Sequence, residues 1–283
     1  MKKTLYMVAV CAFIVSLAFG TAFAADFRIG IMQDAPGDAQ KYKPIADYLA
    51  KKHVAVSFVT AKDYPSAAEM FSKGQVDAMF SGSGVAGSLI IKEVATPVVR
   101  PVGADGISTY WAVVLAPKGA PKFKGTADYF KGKKVMFVKL ASSGEFYFRS
   151  LDGAQNSGAT ILPAASHGAA IDALNKGQAD VAIVKNRVWD KVAKDNAGIE
   201  KIGEDRGENP DSTLMVSKKA DAAVVKAVSD ALLAVEADAS AEAKAVKDSL
   251  KIKGFIKTTE KDFAHNLTLL KKAGVTKSFA FSF

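Results

Sequence analysis

A chain of 283 residues is long enough for one large domain or two lobes of ordinary size. With 49% hydrophobic and 24% charged residues it has the makings of a buried core. The formal net charge is +9, falling to about +7 once Lys2 and Lys3 leave with the leader described below. The lysines are scattered and form no basic stripe interleaved with aromatics, which argues against a nucleic-acid partner. The balance favours solubility and a mild attraction for anions.

The chain opens on Lys2 and Lys3, an apolar run from Leu5 to Phe19, and Ala22-Phe23-Ala24, a small-x-small pattern. This reads as a secretory signal peptide cut after Ala24, with export to the periplasm. The apolar run of about 15 residues is shorter than the roughly 20 needed to span a bilayer, so a retained anchor is the weaker reading. Cys11 is the only cysteine. It lies inside the apolar run, with Val10 where a lipidated cysteine expects a small residue. The mature chain therefore has no thiol for a disulfide, a metal or a nucleophile.

Beyond the leader, strands and helices alternate, the pattern of an α/β fold with mostly parallel sheets. Phe27 to Met32 reads as a strand. Lys41 to Lys52 has helical spacing through Ile45, Ala46, Tyr48 and Leu49. Val54 to Thr60 is a second strand, Tyr64 to Lys73 a helix, and Asp77 to Phe80 the start of a third strand. Later, Lys134 to Lys139 reads as a strand, Gly144 to Leu151 as a helix, and Thr160 to Leu162 as a short strand. His167 to Asn175 is a helix and Asp180 to Val184 a strand. Ala220 to Ser249 is Ala-rich and helical. Further helix is expected around Glu260 to Ala273, with Gly254 and Gly274 as stops.

Two segments match each other. Residues 68–80 read AEMFSKGQVDAMF and residues 171–183 read IDALNKGQADVAI. Each is a helix, then Lys-Gly-Gln-x-Asp, then a strand, with Gly74 and Gly177 at the position that ends the helix. The separation of 103 residues is too long for a solenoid and suits two lobes of similar build. The plainer alternative is two independent helix-Gly-strand turns. Lobes need connections, and the apolar runs Tyr110 to Pro117 and Asp211 to Ser217 are the candidate crossings. Paired crossing strands would form a hinge with a cleft between the lobes. The expected organisation is a leader at 1–24, a first lobe from 25–113 and 212–283, and a second lobe at 114–211.

Ala141-Ser142-Ser143-Gly144 follows a strand and opens a helix. Exposed amides, a partial positive charge and two hydroxyls make that end suited to an anion. Ser at an N-cap, worth about 1 kcal/mol, is the plainer alternative. Ser81-Gly82-Ser83-Gly84 holds the equivalent place in the first half, and no Gly-Lys-Ser/Thr makes it a nucleotide loop. In open α/β sheets ligands collect outside the carboxyl ends of the strands, where both turns lie. His167 opens its helix. His53 and His265 have no carboxylate at metal-ligand spacing, so no metal site is expected. No serine has the surroundings of a nucleophile elbow and no carboxylate pair suits acid–base work, so no catalytic residue and no cofactor is expected.

The chain resembles the phosphonate/phosphite/phosphate family of ABC-transporter substrate-binding proteins. The resemblance runs from Asp26 to about Ser217. It is carried, in order, by RIGIMQD, YKPIADYLAKK, AKDYPSAAEMFSKGQVDAMF, STYWAVVLAPKGA, GKKVMFVKLASSGEFYF, ASHGAAIDALNKGQADVAIV and NPDSTLMVSK. It implies a type II periplasmic binding fold, two α/β lobes joined by a two-strand hinge. In that family a Ser-Thr-Ser-Gly helix N-terminus holds the phosphorus oxyanion, and here Ser142, Ser143 and Gly144 remain while Ala141 lacks the first hydroxyl. The family's site tyrosines match Tyr64 and Tyr110, its histidine matches His167 and its aspartate Asp211. Ser81 and Ser83 complete the expected shell. Aminoalkyl-binding relatives also use an acid after the second Lys-Gly-Gln strand, where this chain has Lys185-Asn186. A ligand without an amino group is expected. Outside the resemblance, Lys185 reads as an exposed strand end, Asp211 as a turn residue and the tyrosines as rim residues.

The resemblance implies capture of a small oxyanion and delivery to a permease in the inner membrane by a monomeric, non-enzymatic protein. Two other classes stay open: a sensor handing ligand status to a membrane receptor, and a transferase on the same fold. Neighbouring permease and ATPase genes would favour transport. The transferase would need a nucleophile or tethered cofactor, and the mature chain has no cysteine to supply one.

Overall fold

The computed structural model describes residues 27–32, 38–138 and 142–281. The leader, its expected cleavage after Ala24, Cys11 and Ala141 lie outside them.

In chain order the first half reads β1 (Phe27–Met32), α1 (Lys43–Lys51), β2 (Val56–Ala61), α2 (Tyr64–Ser72), β3 (Ala78–Ser81), α3 (Ser83–Ile91) and β4 (Ala95–Gly103). The short strand β5 (Thr109–Tyr110) leads to β6 (Ala112–Pro117), β7 (Lys134–Val138), α4 (Ser143–Ser150) and β8 (Thr160–Ala164). Next come α5 (His167–Asn175), β9 (Val181–Lys185), α6 (Asn186–Val192) and β10 (Ile199–Glu204). The chain returns through β11 (Asn209–Pro210) to β12 (Thr213–Ser217), α7 (Ala222–Ala234), α8 (Ala241–Leu250), β13 (Ile252–Lys257) and α9 (Ala264–Lys272).

Two mixed sheets result. One has the order β13-β4-β12-β3-β1-β2 and the other β10-β6-β9-β7-β8. Their centres are built alike. The triplets β2-β1-β3 and β8-β7-β9 are each parallel, and β12 and β6 then pair antiparallel against the third member. The repeated Lys-Gly-Gln-x-Asp explains part of this likeness. Gly74 and Gly177 take φ of 69° and 67°, the left-handed turn that closes α2 and α5. Asp77 then accepts the backbone N–H of Arg28 at 2.9 Å, and Asp180 that of Lys134 at 2.7 Å. Each aspartate amide donates back to the same residue's carbonyl. The motif thus fastens the start of the third strand to the start of the first, once in each sheet.

Apolar clusters cover both faces of each sheet. In the first, Ile29, Tyr48, Leu214 and Phe255 pack under α1, α7 and α8, while Phe71, Leu89 and Leu270 fill the opposite face. In the second, Phe130, Phe137 and Phe148 lie on one side and Leu115, Leu174 and Trp189 on the other. Phe146, on α4 of the second sheet, is fully buried in the first sheet's cluster with Phe263 and Leu270. That ring and the His265–Asp205 contact at 2.9 Å tie the lobes together through α9.

The crossing differs from expectation. It is the two-stranded pair β5–β11, with Asn209 opposite Tyr110 and Pro210 opposite Thr109. Most of Tyr110–Pro117 and of Asp211–Ser217 are instead central strands, β6 in the second sheet and β12 in the first. Strands buried on both faces are apolar throughout, and that signal looks the same whether a strand crosses or not. Two other expectations change. Gly254 stops no helix: it lies inside β13 beside a register shift, and a Cβ there would come within 2.6 Å of the Glu236 Cβ. The Ala-rich stretch divides into α7 and α8, capped by the Asp221 and Ser240 side chains. The strand β4, hidden by Pro97 and Pro101, is a central strand whose pairing shifts register next to Pro97.

Candidate functional site

A cavity of about 270 Å³ lies between the lobes, outside the carboxyl ends of the parallel strands. Among the helix starts that line it are four: Tyr64 of α2, Gly82 before α3, Ser142 and Ser143 of α4, and His167 of α5. Helix N-termini carry unpaired amides and a partial positive charge, so their convergence makes the space attractive to an anion.

Local chemistry sets each end. The side chains of Asp63, Ser142 and Ser166 accept the amides of Ser66, Glu145 and Ala169, the third residues of α2, α4 and α5. Those caps fix the helix ends, and Pro65 leaves α2 one amide fewer ahead of its cap than α4 or α5. Ser143 Oγ is buried near the Tyr110 phenol but makes no hydrogen bond of normal geometry. Gly144 sits behind it and does not line the cavity. A Cβ there would lie 2.4 Å from the carbonyl oxygen of Ile183, so glycine lets α4 start hard against β9.

Ser83 is also set back. Its hydroxyl lies 2.6 Å from the Tyr110 phenol, to which its amide also points at 3.3 Å. Both contacts fix the Tyr110 phenol. Burial, then the nearby Asp211 charge, pushes the Tyr110 phenol up to about 12, so it stays neutral at physiological pH. His167 accepts the Lys185 amide on Nδ1 at 3.4 Å, which places the proton of the neutral ring on Nε2. Burial first, and then the Lys185 charge, lowers its pKa to about 4 against the opposing pull of Asp211, so the ring is a neutral donor at pH 7.

The cavity thus gathers seven of the nine expected residues: Tyr64, Ser81, Tyr110, Ser142, Ser143, His167 and Asp211. Ser83 and Gly144 support from behind. Lys41, Tyr42, Phe80, Val188 and Ser212 line it without having been singled out. Tyr42 and Phe80 pack ring to ring at 5.4 Å and read in sequence as ordinary apolar positions. Lys185 is no exposed strand end. Its ammonium pairs with Asp211 at 2.6 Å and sits 4.2 Å from the centre of the Tyr110 ring. Asp211 is aimed there by Ser212, whose φ of 43° is left-handed and whose hydroxyl reaches the same carboxylate oxygen at 3.3 Å. Nothing in the sequence marks that turn. Among the described residues no group of three or more His, Cys, Asp or Glu side chains is arranged to hold a metal ion.

Solved structures with the same fold are many. A Xanthomonas citri protein solved with ATP is 17% identical, covers 89% of this chain and 96% of its own, and superposes with a TM-score of 0.71. A Prochlorococcus marinus protein in complex with methylphosphonate is 15% identical, with 88% and 98% coverage and a TM-score of 0.68. A binding-protein component of a Pseudomonas aeruginosa ABC phosphonate transporter is 17% identical, with 87% and 86% coverage and a TM-score of 0.66. These likenesses establish the type II two-lobed fold. None of the curated proteins compared with the chain matches it. Residues 29–263 match the family described as ABC transporter, phosphonate, periplasmic substrate-binding protein. That span takes in both sheets but for Phe27 and Arg28 of β1, both crossing strands and the whole wall of the cavity, and the chain therefore belongs to the phosphonate periplasmic substrate-binding proteins of ABC transporters.

Proposed function

We propose that the protein captures a small oxyanion of the phosphate, phosphite or phosphonate class between its lobes for an ABC importer. The observation that carries this reading is the convergence of four helix N-termini on one cavity that also holds a buried hydroxyl making no hydrogen bond of normal geometry, Ser143 Oγ. Hydrogen bonds to a charged group are the strong class, so a few amides and hydroxyls suffice to hold and orient such an anion. The charged side chains on the wall, Lys41, Lys185 and Asp211, leave a net positive charge of one with His167 neutral. Tyr64 and Ser81 approach from one lobe and Ser142, Ser143 and His167 from the other, so a bound anion would hold the lobes closed. The closed surface is what a membrane permease would read. The Prochlorococcus neighbour's methylphosphonate makes that compound the first probe.

The test is calorimetric titration of the mature protein with phosphate, phosphite, methylphosphonate and sulfate. At least one phosphorus oxyanion is expected to bind well below millimolar. Binding of none of them below millimolar would sink the proposal, and tighter binding of sulfate would move it to a non-phosphorus anion.

A further inference from the structure

We propose that Lys185 is a built-in cation that restricts the site to oxyanions carrying no positive group, excluding aminoalkyl phosphonates and other zwitterions. The proposal rests on the oxyanion reading above and specifies its ligand class.

Among the described residues, Asp211 is the only carboxylate on the cavity wall. A ligand ammonium entering the site would need it, together with the aromatic face of Tyr110, the two kinds of surface that hold ammonium groups. Both are taken. Asp211 Oδ1 receives the Lys185 ammonium at 2.6 Å, and the same nitrogen sits 4.2 Å from the Tyr110 ring centre. The two side chains are only 21% and 17% exposed, so the pair is held out of bulk water. A second cation arriving there meets a like charge with no carboxylate to receive it. Displacing Lys185 instead leaves its charge partly buried and unpaired, which is strongly unfavourable. The same ammonium also cancels Asp211, which would otherwise repel an entering anion. Lys185 therefore fills the place of a ligand amine and makes the remaining cavity suit a bare or alkyl-substituted oxyanion.

Methylphosphonate and 2-aminoethylphosphonate separate the two classes with one phosphonate head group. Titrations of wild-type protein and of Lys185→Gln would read the ratio of their dissociation constants. Wild type is expected to favour methylphosphonate by about tenfold or more, the equivalent of some 1.4 kcal/mol. Lys185→Gln frees Asp211 and is expected to narrow or reverse that ratio, weakening methylphosphonate while strengthening the amino compound. Equal or tighter binding of 2-aminoethylphosphonate by wild type overturns the proposal and leaves the oxyanion reading standing. An unchanged ratio in Lys185→Gln also overturns it. Binding of neither compound by wild type overturns this proposal, and the oxyanion reading then stands or falls on the phosphate and phosphite titrations above. The wild-type ratio needs no substitution, so a variant that fails to fold does not protect the proposal.

Discussion

Replacing Ser143 by alanine should move stability and affinity in opposite directions. The Ser143 hydroxyl is buried at the first turn of α4, with the residue 7% exposed and the oxygen making no hydrogen bond of normal geometry. A polar group held in that way costs about 1–3 kcal/mol. Alanine removes the group, fits the same space and is a slightly better helix former. The unliganded protein should gain about 1 kcal/mol, a rise in melting temperature of roughly 2–4 °C for a protein of this size. If the hydroxyl serves a charged ligand, its hydrogen bond is worth about 1.5–3 kcal/mol, so affinity should fall on the order of 10- to 150-fold. Urea unfolding without ligand and calorimetric titration with the tightest-binding oxyanion measure the two effects separately. A Ser143→Ala protein that is less stable yet binds as well as wild type would show that the hydroxyl is a structural group, and the role proposed for Ser143 in holding the anion would go with it.

Three further outcomes follow from the same geometry. Gly144→Ala places a Cβ against the Ile183 carbonyl, so α4 must move off β9. Overpacking of this kind costs about 1–3 kcal/mol, and affinity should drop by more than in a matched variant at an exposed position of α5; unchanged unfolding and binding would contradict the close approach. Phe146→Ala empties a fully buried position between the lobes. It should cost about 3–5 kcal/mol and enlarge the radius of gyration of the unliganded protein by small-angle scattering, whereas a normal midpoint would mean the ring does not join the lobes. Proton NMR titration should find the imidazoles displaced in opposite senses. His167 is held low, near 4, by burial, so the stability it contributes is complete above its ordinary value of 6.5 and is lost as pH falls towards 4. His265 is raised by its hydrogen bond to Asp205, so its contribution is complete below that value and is lost as pH rises through its folded pKa. Asp205→Asn should return His265 towards the ordinary value, and two coincident midpoints in wild type would refute both environments.

Much of the fold is written locally. The strand Phe27–Met32 and the helix His167–Asn175 begin and end where their patterning indicates, because alternation, an N-cap serine and a left-handed glycine act within a few residues. The repeated Lys-Gly-Gln-x-Asp announces the two-lobed plan, since each copy builds the same junction between a helix and a strand. Ser142 and Ser143 are legible because they stand at a helix start after a strand, and Ser81 because it ends one, where α/β proteins gather ligands. Tyr64, Tyr110, His167 and Asp211 are legible as site residues only through the family resemblance. What local signals could not carry was pairing. Tyr110–Pro117 and Asp211–Ser217 have the apolar content of buried strands, but only the tertiary arrangement puts β6 and β12 in the sheet interiors and leaves Thr109–Tyr110 and Asn209–Pro210 to cross. The β4 strand was hidden by its prolines, and Pro97 is accommodated beside a register shift against β12 that only the sheet supplies. Lys185 and Asp211 lie 26 residues apart, and their ion pair exists because β9 ends where the chain returns to the first lobe. The sequence by itself determined the two lobes and the helix ends that face the cavity. Only the folded chain decided which charges meet inside the cavity, because a charge pair depends on distances that span the whole molecule.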